Sequence, residues 1–364
     1  MPAPDALVEL DEPPWLWKGN IPSLNGLRAV SITVVILAHA VPKAGISESY
    51  LPLSGATGVD VFFVISGFLI TLLLLREQKR FGVISIPKFY ARRTLRIFPA
   101  YFTYLGVITG LSILGMIDIR STELLKAATY TTNLFPRATW DVGHSWSLCV
   151  EEHFYLIWPL TLVCAGRFWA PRLAALYVLL TPFIRVLVLL AFKTQFALWS
   201  FTLTRMDAIA VGCCLAFAVT SSRVRQRVRL TPWQVALLCA ACGGFLVISQ
   251  FILVRYQLQF KAVGYYAAVL SGTVNALAIG AAVWCCVLYP VGILGRFLNS
   301  VPAIFIGSLS YSLYLWQQPL FNPDRDTWLF DFPVNVLAVA VLSIGSYYLI
   351  ERPFLALKQR VVSE

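Results

Sequence analysis

Apolar residues fall into ten runs long enough to span a lipid bilayer, at roughly 25–44, 55–75, 97–116, 146–165, 171–192, 204–220, 232–254, 262–289, 301–320 and 333–350. Each predicts a helix. Roughly 20 residues at about 1.5 Å each cross a hydrocarbon core, and no water is present there to satisfy an open strand. The polar stretches between the runs are too short to fold alone. The pattern therefore predicts an all-α, polytopic membrane bundle of about ten transmembrane helices. Residues 21–354 form one membrane-embedded domain between short tails at 1–20 and 355–364. Residues 120–136 differ: Leu124, Leu125, Ala128 and Leu134 oppose Glu123 and Lys126, the pattern of a helix lying in the interface.

Composition strengthens this picture. The chain has 364 residues, 58% hydrophobic and 13% charged, where a soluble domain carries roughly 25% charge. So few charges cannot cover a water-facing surface, and lipid must be the solvent for much of the chain. The net charge of +11 does not indicate nucleic acid, because the basic residues sit in short runs between apolar segments. Placing the N-terminus in the cytoplasm puts eighteen Lys and Arg in inside loops against eight outside. That asymmetry predicts both termini inside the cell membrane, and the acidic outer loop 321–332 agrees. Residues 1–20 lack a basic region and a cleavage site, so they are expected to be a cytoplasmic tail rather than a signal peptide. The eight cysteines lie inside apolar stretches, and the Cys239/Cys242 pair has no second such pair beside it. They are expected to pack as small hydrophobes, with no metal site.

Ionisable groups inside lipid are costly and mark function unless they are paired. Here they are Arg28, His39, Asp60, Glu151, Glu152, His153, Arg185, Arg205 and Asp207. Arg28 and His39 are eleven residues apart, about three helical turns, so they share one face at a separation of ~16 Å. Imidazole suits general-base work and guanidinium suits an anion; the same spacing also fits an interfacial anchor with a core histidine. Lys88, Arg92 and Arg96 recur at i, i+4 and i+8, beside Arg93. They would form a cationic stripe able to hold phosphates, or an ordinary positive-inside anchor. Glu151 and Tyr155 share a face near an outer membrane edge, where the carboxylate could orient His39 or pair with Arg185 or Arg205. Gly67 and Ser66 suit close helix packing.

Taken together, these segments resemble the acyltransferase-3 family of multi-pass membrane O-acyltransferases. The likeness starts with Asn25-Gly26-Leu27-Arg28-Ala29 and the spacing to His39. It continues through Gly58-Val59-Asp60, Phe89-Tyr90-Ala91-Arg92-Arg93 to Pro99, Trp146-Ser147-Leu148 and Glu151 to Pro159. Arg205-Met206-Asp207 with Gly212, Ser310 to Trp316, and Glu351-Arg352-Pro353-Phe354 complete it. The resemblance implies transfer of an acyl group, usually acetyl, from cytoplasmic acyl-CoA to a hydroxyl on a glycan or another exported molecule. It implies a catalytic pair of His39 and Arg28, with His39 as general base or transient acyl carrier and Glu151 in support. Donor binding falls to Lys88, Arg92, Arg93 and Arg96, and substrate binding is expected of Asp60, Tyr155, Arg205 and Asp207. Gln317 stands where many relatives have histidine, and His153 where glutamine is common. Some relatives add a C-terminal hydrolase-like domain outside the membrane; the tail after Arg352 is expected to be too short for one, leaving that role to a separate protein. A transporter or flippase of lipid-linked sugars is the alternative, since ten spans with buried charges fit that class too.

Overall fold

The computed structural model describes residues 12–363 except 18, 48, 49, 137, 193, 195 and 326, with side chains to Leu357. Residues 1–11 of the expected tail, the loop charges Lys18, Arg137, Lys193 and Asp326, and the side chains of Lys358 and Arg360 lie outside the described residues. The fold is all-α. The long helices are α1 (Leu24–Lys43), α2 (Gly55–Phe81), α3 (Ile86–Ile113), α4 (Ser145–Phe192), α5 (Thr202–Thr220), α6 (Pro232–Tyr256), α7 (Ser271–Leu288), α8 (Val301–Leu320) and α9 (Val334–Ser346).

Among the described residues seven helical segments are long and apolar enough to cross a membrane. Gly292–Leu298 with α8, bent by 51°, makes an eighth. Two features lie behind the difference from the ten expected. Gly166, at φ 65° and ψ 179°, breaks α4 into two, a backbone state that a residue without Cβ adopts freely. α3 carries Lys88, Arg92, Arg93 and Arg96 in its first half, which lowers its apolarity without shortening it.

The polar stretch 76–96 departs from the expected loop. α2 runs on to Phe81 and α3 begins at Ile86, so the connection shrinks to residues 82–85, with Gly82 in the left-handed conformation as the cap of α2. Part of the expected free tail is also ordered. Leu16 is fully buried, Arg76 donates from Nε to the Leu16 carbonyl at 2.9 Å, and Lys79 sits 3.9 Å above the Trp17 ring. The amphipathic stretch forms a short helix, Ser121–Ala128, with Leu125 exposed.

α2 is the central helix, with 72% of its apolar window buried against 11% for the peripheral α6. Its most extensive contact is with α5, and α1 packs most against α8. Glycine makes both approaches possible. A methyl at Gly67 on α2 would overlap the Ile209 carbonyl of α5, and one at Gly212 on α5 would overlap the Val64 carbonyl of α2. A methyl at Gly307 on α8 would overlap the Asn25 carbonyl of α1 in the same way. Small residues at such crossings let backbones touch where lipid supplies no hydrophobic drive between helices. Ser66 and Arg205 are held in place by these seams.

Candidate active site

α1, α2, α3, α4 and α8 enclose a cavity with about 810 Å³ of empty space, counting its open mouth. Arg28 enters it from α1, Ser66 from α2, Arg93 and Arg96 from α3, Glu151, Glu152 and Tyr155 from α4, and Ser310, Tyr311 and Tyr314 from α8. Helical periodicity explains the selection: Arg93 and Arg96 lie three residues apart and Glu151 and Tyr155 four apart, each pair on one face. Glu151 accepts a hydrogen bond from the Ser66 hydroxyl, and Tyr155 donates to the same Ser66 oxygen at 3.3 Å. Arg93 lies over the Tyr155 ring at 4.3 Å. The Tyr311 hydroxyl donates to the Ile97 carbonyl at 2.9 Å and so ties α8 to α3.

The expected cationic stripe is divided. Lys88 is exposed, and Arg92 turns away to Glu77 on α2 at 2.6 Å. Arg93 and Arg96 face the cavity instead, joined by Arg28 from another helix. A carboxylate that spacing did not single out completes the electrostatics. Glu351, buried and accepting from the Ser312 hydroxyl, is a Coulomb neighbour of both Arg28 and Arg96. Its position in the Glu351-Arg352-Pro353-Phe354 block was the available signal.

His39 does not line this cavity. It stands about three turns beyond Arg28 on α1, with Trp140 edge-on at 5.7 Å and Gln317 of α8 beside it. The expected Glu151–His39 contact is not formed among the described residues, because Glu151 lies deeper along α4 and is engaged by Ser66. The Trp140 indole donates to the Gln318 carbonyl at 2.6 Å and fixes the wall next to His39.

The remaining expected residues form a second charged group around α5. Arg205 pairs with Asp60 at 2.5 Å, both nearly buried, and lies over Trp146 at 5.5 Å. Arg185 pairs with Asp207 at 2.7 Å and bonds the Thr204 carbonyl and Thr273, and Thr273 donates to the same Asp207 oxygen at 2.6 Å. Two cavities, of about 530 and 520 Å³, meet at Ala56, Trp199 and Arg205. Asp60 lines one of them, whereas Asp207 lines neither. Tyr155 belongs to the Arg28 cavity rather than to this group.

Three guanidinium groups thus converge in one cavity of a helical membrane bundle, and a histidine lies about three turns farther along the same helix face as Arg28. The chain matches the acyltransferase-3 family, described as an acyltransferase domain, over residues 21–352, and it belongs to that family. It is 27% identical over 357 residues to O-acetyltransferase OatA of Staphylococcus aureus (strain NCTC 8325 / PS 47), covering 92% of this chain and 57% of that protein. It is 27% identical over 365 residues to YrhL of Bacillus subtilis (strain 168), a protein named for peptidoglycan O-acetylation, covering 92% of this chain and 54% of that protein. The chain thus spans a little over half the length of these relatives. No solved structure matches it.

Proposed function

We propose that the protein is a membrane O-acyltransferase that moves an acyl group, acetyl in the first instance, from cytoplasmic acyl-CoA to a hydroxyl of an extracytoplasmic glycan or other exported acceptor. The observation that carries this reading is the convergence of Arg28, Arg93 and Arg96 in one cavity. They stand at the end of the bundle where seven cations gather between residues 76 and 96. Guanidinium forks match phosphate oxygens, and a site away from bulk water strengthens the attraction. The excess of cations in the inside loops supports a cell-membrane orientation with both termini cytoplasmic.

With the donor's phosphates at this cluster, its pantetheine arm extends along α1 towards His39, ~16 Å from the level of Arg28. Tyr155 belongs with the donor in this arrangement. His39 takes the proton of the acceptor hydroxyl as the oxygen attacks the acyl carbon. The carbon–sulfur bond then breaks, and the proton passes to the sulfur, giving the ester and free CoA. Glu151 orients the arginines around the donor rather than His39 itself. The acceptor approaches from the side where Asp60, Arg205 and Trp199 line the two other cavities. Relatives named for O-acetylation support acetyl as the group and a cell-wall glycan as the acceptor.

The test is acetyl transfer by the purified full chain in proteoliposomes, from labelled acetyl-CoA to cell-wall disaccharide fragments. Transfer that is lost in His39→Ala, with protein of unchanged elution and thermal stability, supports the reading. A His39→Ala protein that transfers at the wild-type rate overturns the role of His39. A wild-type protein that consumes no acyl-CoA yet moves lipid-linked sugar across the bilayer points to the transporter class instead.

A further inference from the structure

Three helices carry polar stripes that climb from the arginine cavity towards His39. On α8, Ser310, Tyr314 and Gln317 recur at i, i+4 and i+7; leading into α4, His144, Ser147 and Glu151 recur at i, i+3 and i+7; on α1 the stripe is Arg28 and His39. The stripes meet where Ser147 and Tyr314 share a hydrogen bond at 2.6 Å and Tyr314 donates to the His144 carbonyl at 3.0 Å. Below this point Ser147, Ser310 and Tyr314 line the arginine cavity. Above it lie His39, His144 and Gln317.

That upper end holds a concentration of unmatched hydrogen-bonding atoms. His144 is 5% exposed, and neither ring nitrogen has a hydrogen-bond partner among the described residues; the Leu315 backbone approaches without reaching bonding geometry. His39 and Gln317 are close neighbours, yet the Nδ1 of His39 and the Oε1 of the fully buried Gln317 make no contact of bonding geometry among the described residues, and neither does the Ser310 hydroxyl lower on the same face. Buried polar groups in folded proteins are nearly always satisfied, and leaving one unmatched is costly. His144 packs between aromatic rings, Tyr104 edge-on at 5.6 Å and Tyr314 at 5.4 Å. His39 is its Coulomb neighbour. A set of buried donors and acceptors without protein partners beside the expected base is the arrangement of a preorganised reaction site.

The geometry points to His144 as a second catalytic histidine: the acyl thioester carbonyl lies between His39 and His144, and an N–H of His144 donates to the carbonyl oxygen as negative charge develops on it. A neutral imidazole offers one N–H and one acceptor nitrogen. His39 removes the hydroxyl proton, the alcohol oxygen bonds to the carbonyl carbon, and the electron pair of the C=O moves onto the oxygen held by His144. Collapse restores the C=O and expels the thiolate, which takes the proton from His39. The inference rests on the acyl-transfer reading above and adds to it the group that holds the oxyanion.

The test compares two near-isosteric variants, His144→Gln, which keeps an N–H, and His144→Met, which has none. Both are assayed in proteoliposomes with labelled acetyl-CoA and the cell-wall disaccharide. His144→Met is expected to lose about 10²-fold or more in kcat. Its KM for acetyl-CoA should stay within twofold of wild type, and His144→Gln should regain at least tenfold over Met. Equal kcat values for the two variants, or a change confined to KM, overturn the proposal. If either variant fails to elute as folded protein, His144→Asn against His144→Leu repeats the comparison with smaller side chains under the same criteria. A wild-type protein that transfers no acetyl group defeats the acyl-transfer reading itself, an outcome separate from indifference to position 144.

Discussion

Ser66 on α2 donates its hydroxyl hydrogen to the carboxylate of Glu151 on α4, in a cavity otherwise dominated by Arg28, Arg93 and Arg96. The bond spans 85 positions in sequence and holds one of the two carboxylates, Glu151 and Glu152, that line this cavity. A hydrogen bond to a charged group contributes about 1.5–3 kcal/mol, and about 1.4 kcal/mol is tenfold in rate. Ser66→Ala is therefore expected to lower kcat/KM for acetyl-CoA by about tenfold or more. Glu151→Ala should do more, since it also unbalances the arginines. Steady-state kinetics on the purified variants check this, and Ser66→Ala at wild-type efficiency would show that Glu151 is positioned by other groups.

The contact between α2 and α5 makes a sharper structural prediction. Gly67 faces the α5 backbone at Ile209 and Gly212 the α2 backbone at Val64, neither with room for a methyl group, whereas Gly106 on α3 has open space beside it. Gly67→Ala or Gly212→Ala must force the helices apart, a cost of about 1–3 kcal/mol by analogy with overpacked cores. Gly106→Ala should be neutral or slightly stabilising, since alanine is favoured in helices by about 1 kcal/mol. Thermal unfolding in detergent distinguishes the three, and equal midpoints for Gly67→Ala and Gly106→Ala would contradict the seam.

The ion pair of Asp60 with Arg205 lies on that seam and is almost fully withdrawn from solvent. Removing one member of a buried pair strands the other charge and typically costs about 3–5 kcal/mol, whereas replacing both with neutral groups costs far less. Asp60→Asn and Arg205→Gln should each lower stability markedly, and the double variant should recover much of the loss. A double-mutant cycle on unfolding measures the coupling directly. Additive losses would mean that the two side chains act independently.

How far the sequence reaches is plain from these residues. The helices are legible because apolar runs of spanning length have one solution in lipid, and Arg28 and His39 are legible as one stripe because eleven residues are three turns. Which charges meet is not, because periodicity gives the face of a helix and not its neighbour. Glu151 could pair with His39, Arg185 or Arg205 on spacing alone. The packing decides the matter: the glycine seam of α2 and α5 brings Arg205 to Asp60, and Ser66 on α2 takes up Glu151 from α4. His144 and Glu351 are not singled out as site residues for a related reason. Each stands at the edge of an apolar run, where a polar residue is ordinary, and only its burial sets it apart.

The division of the basic stretch on α3 gives the most direct test of donor binding. Spacing alone groups Lys88, Arg92 and Arg96, but Lys88 is exposed and Arg92 is held by Glu77, while Arg93 and Arg96 line the cavity with Arg28. A charge-assisted contact to phosphate contributes about 1.5–3 kcal/mol. Arg93→Ala and Arg96→Ala should each raise KM for acetyl-CoA about tenfold or more, with a smaller change in kcat. Lys88→Ala should leave KM within about twofold, because an exposed cation is screened by salt and solvent. Arg92→Ala should lower thermal stability through the loss of Glu77 more than it changes KM. Acetyl-CoA titrations of the four variants at two ionic strengths separate these effects. A Lys88→Ala protein as impaired as Arg96→Ala would place the donor on the outer surface of α3 and remove the cavity from the mechanism.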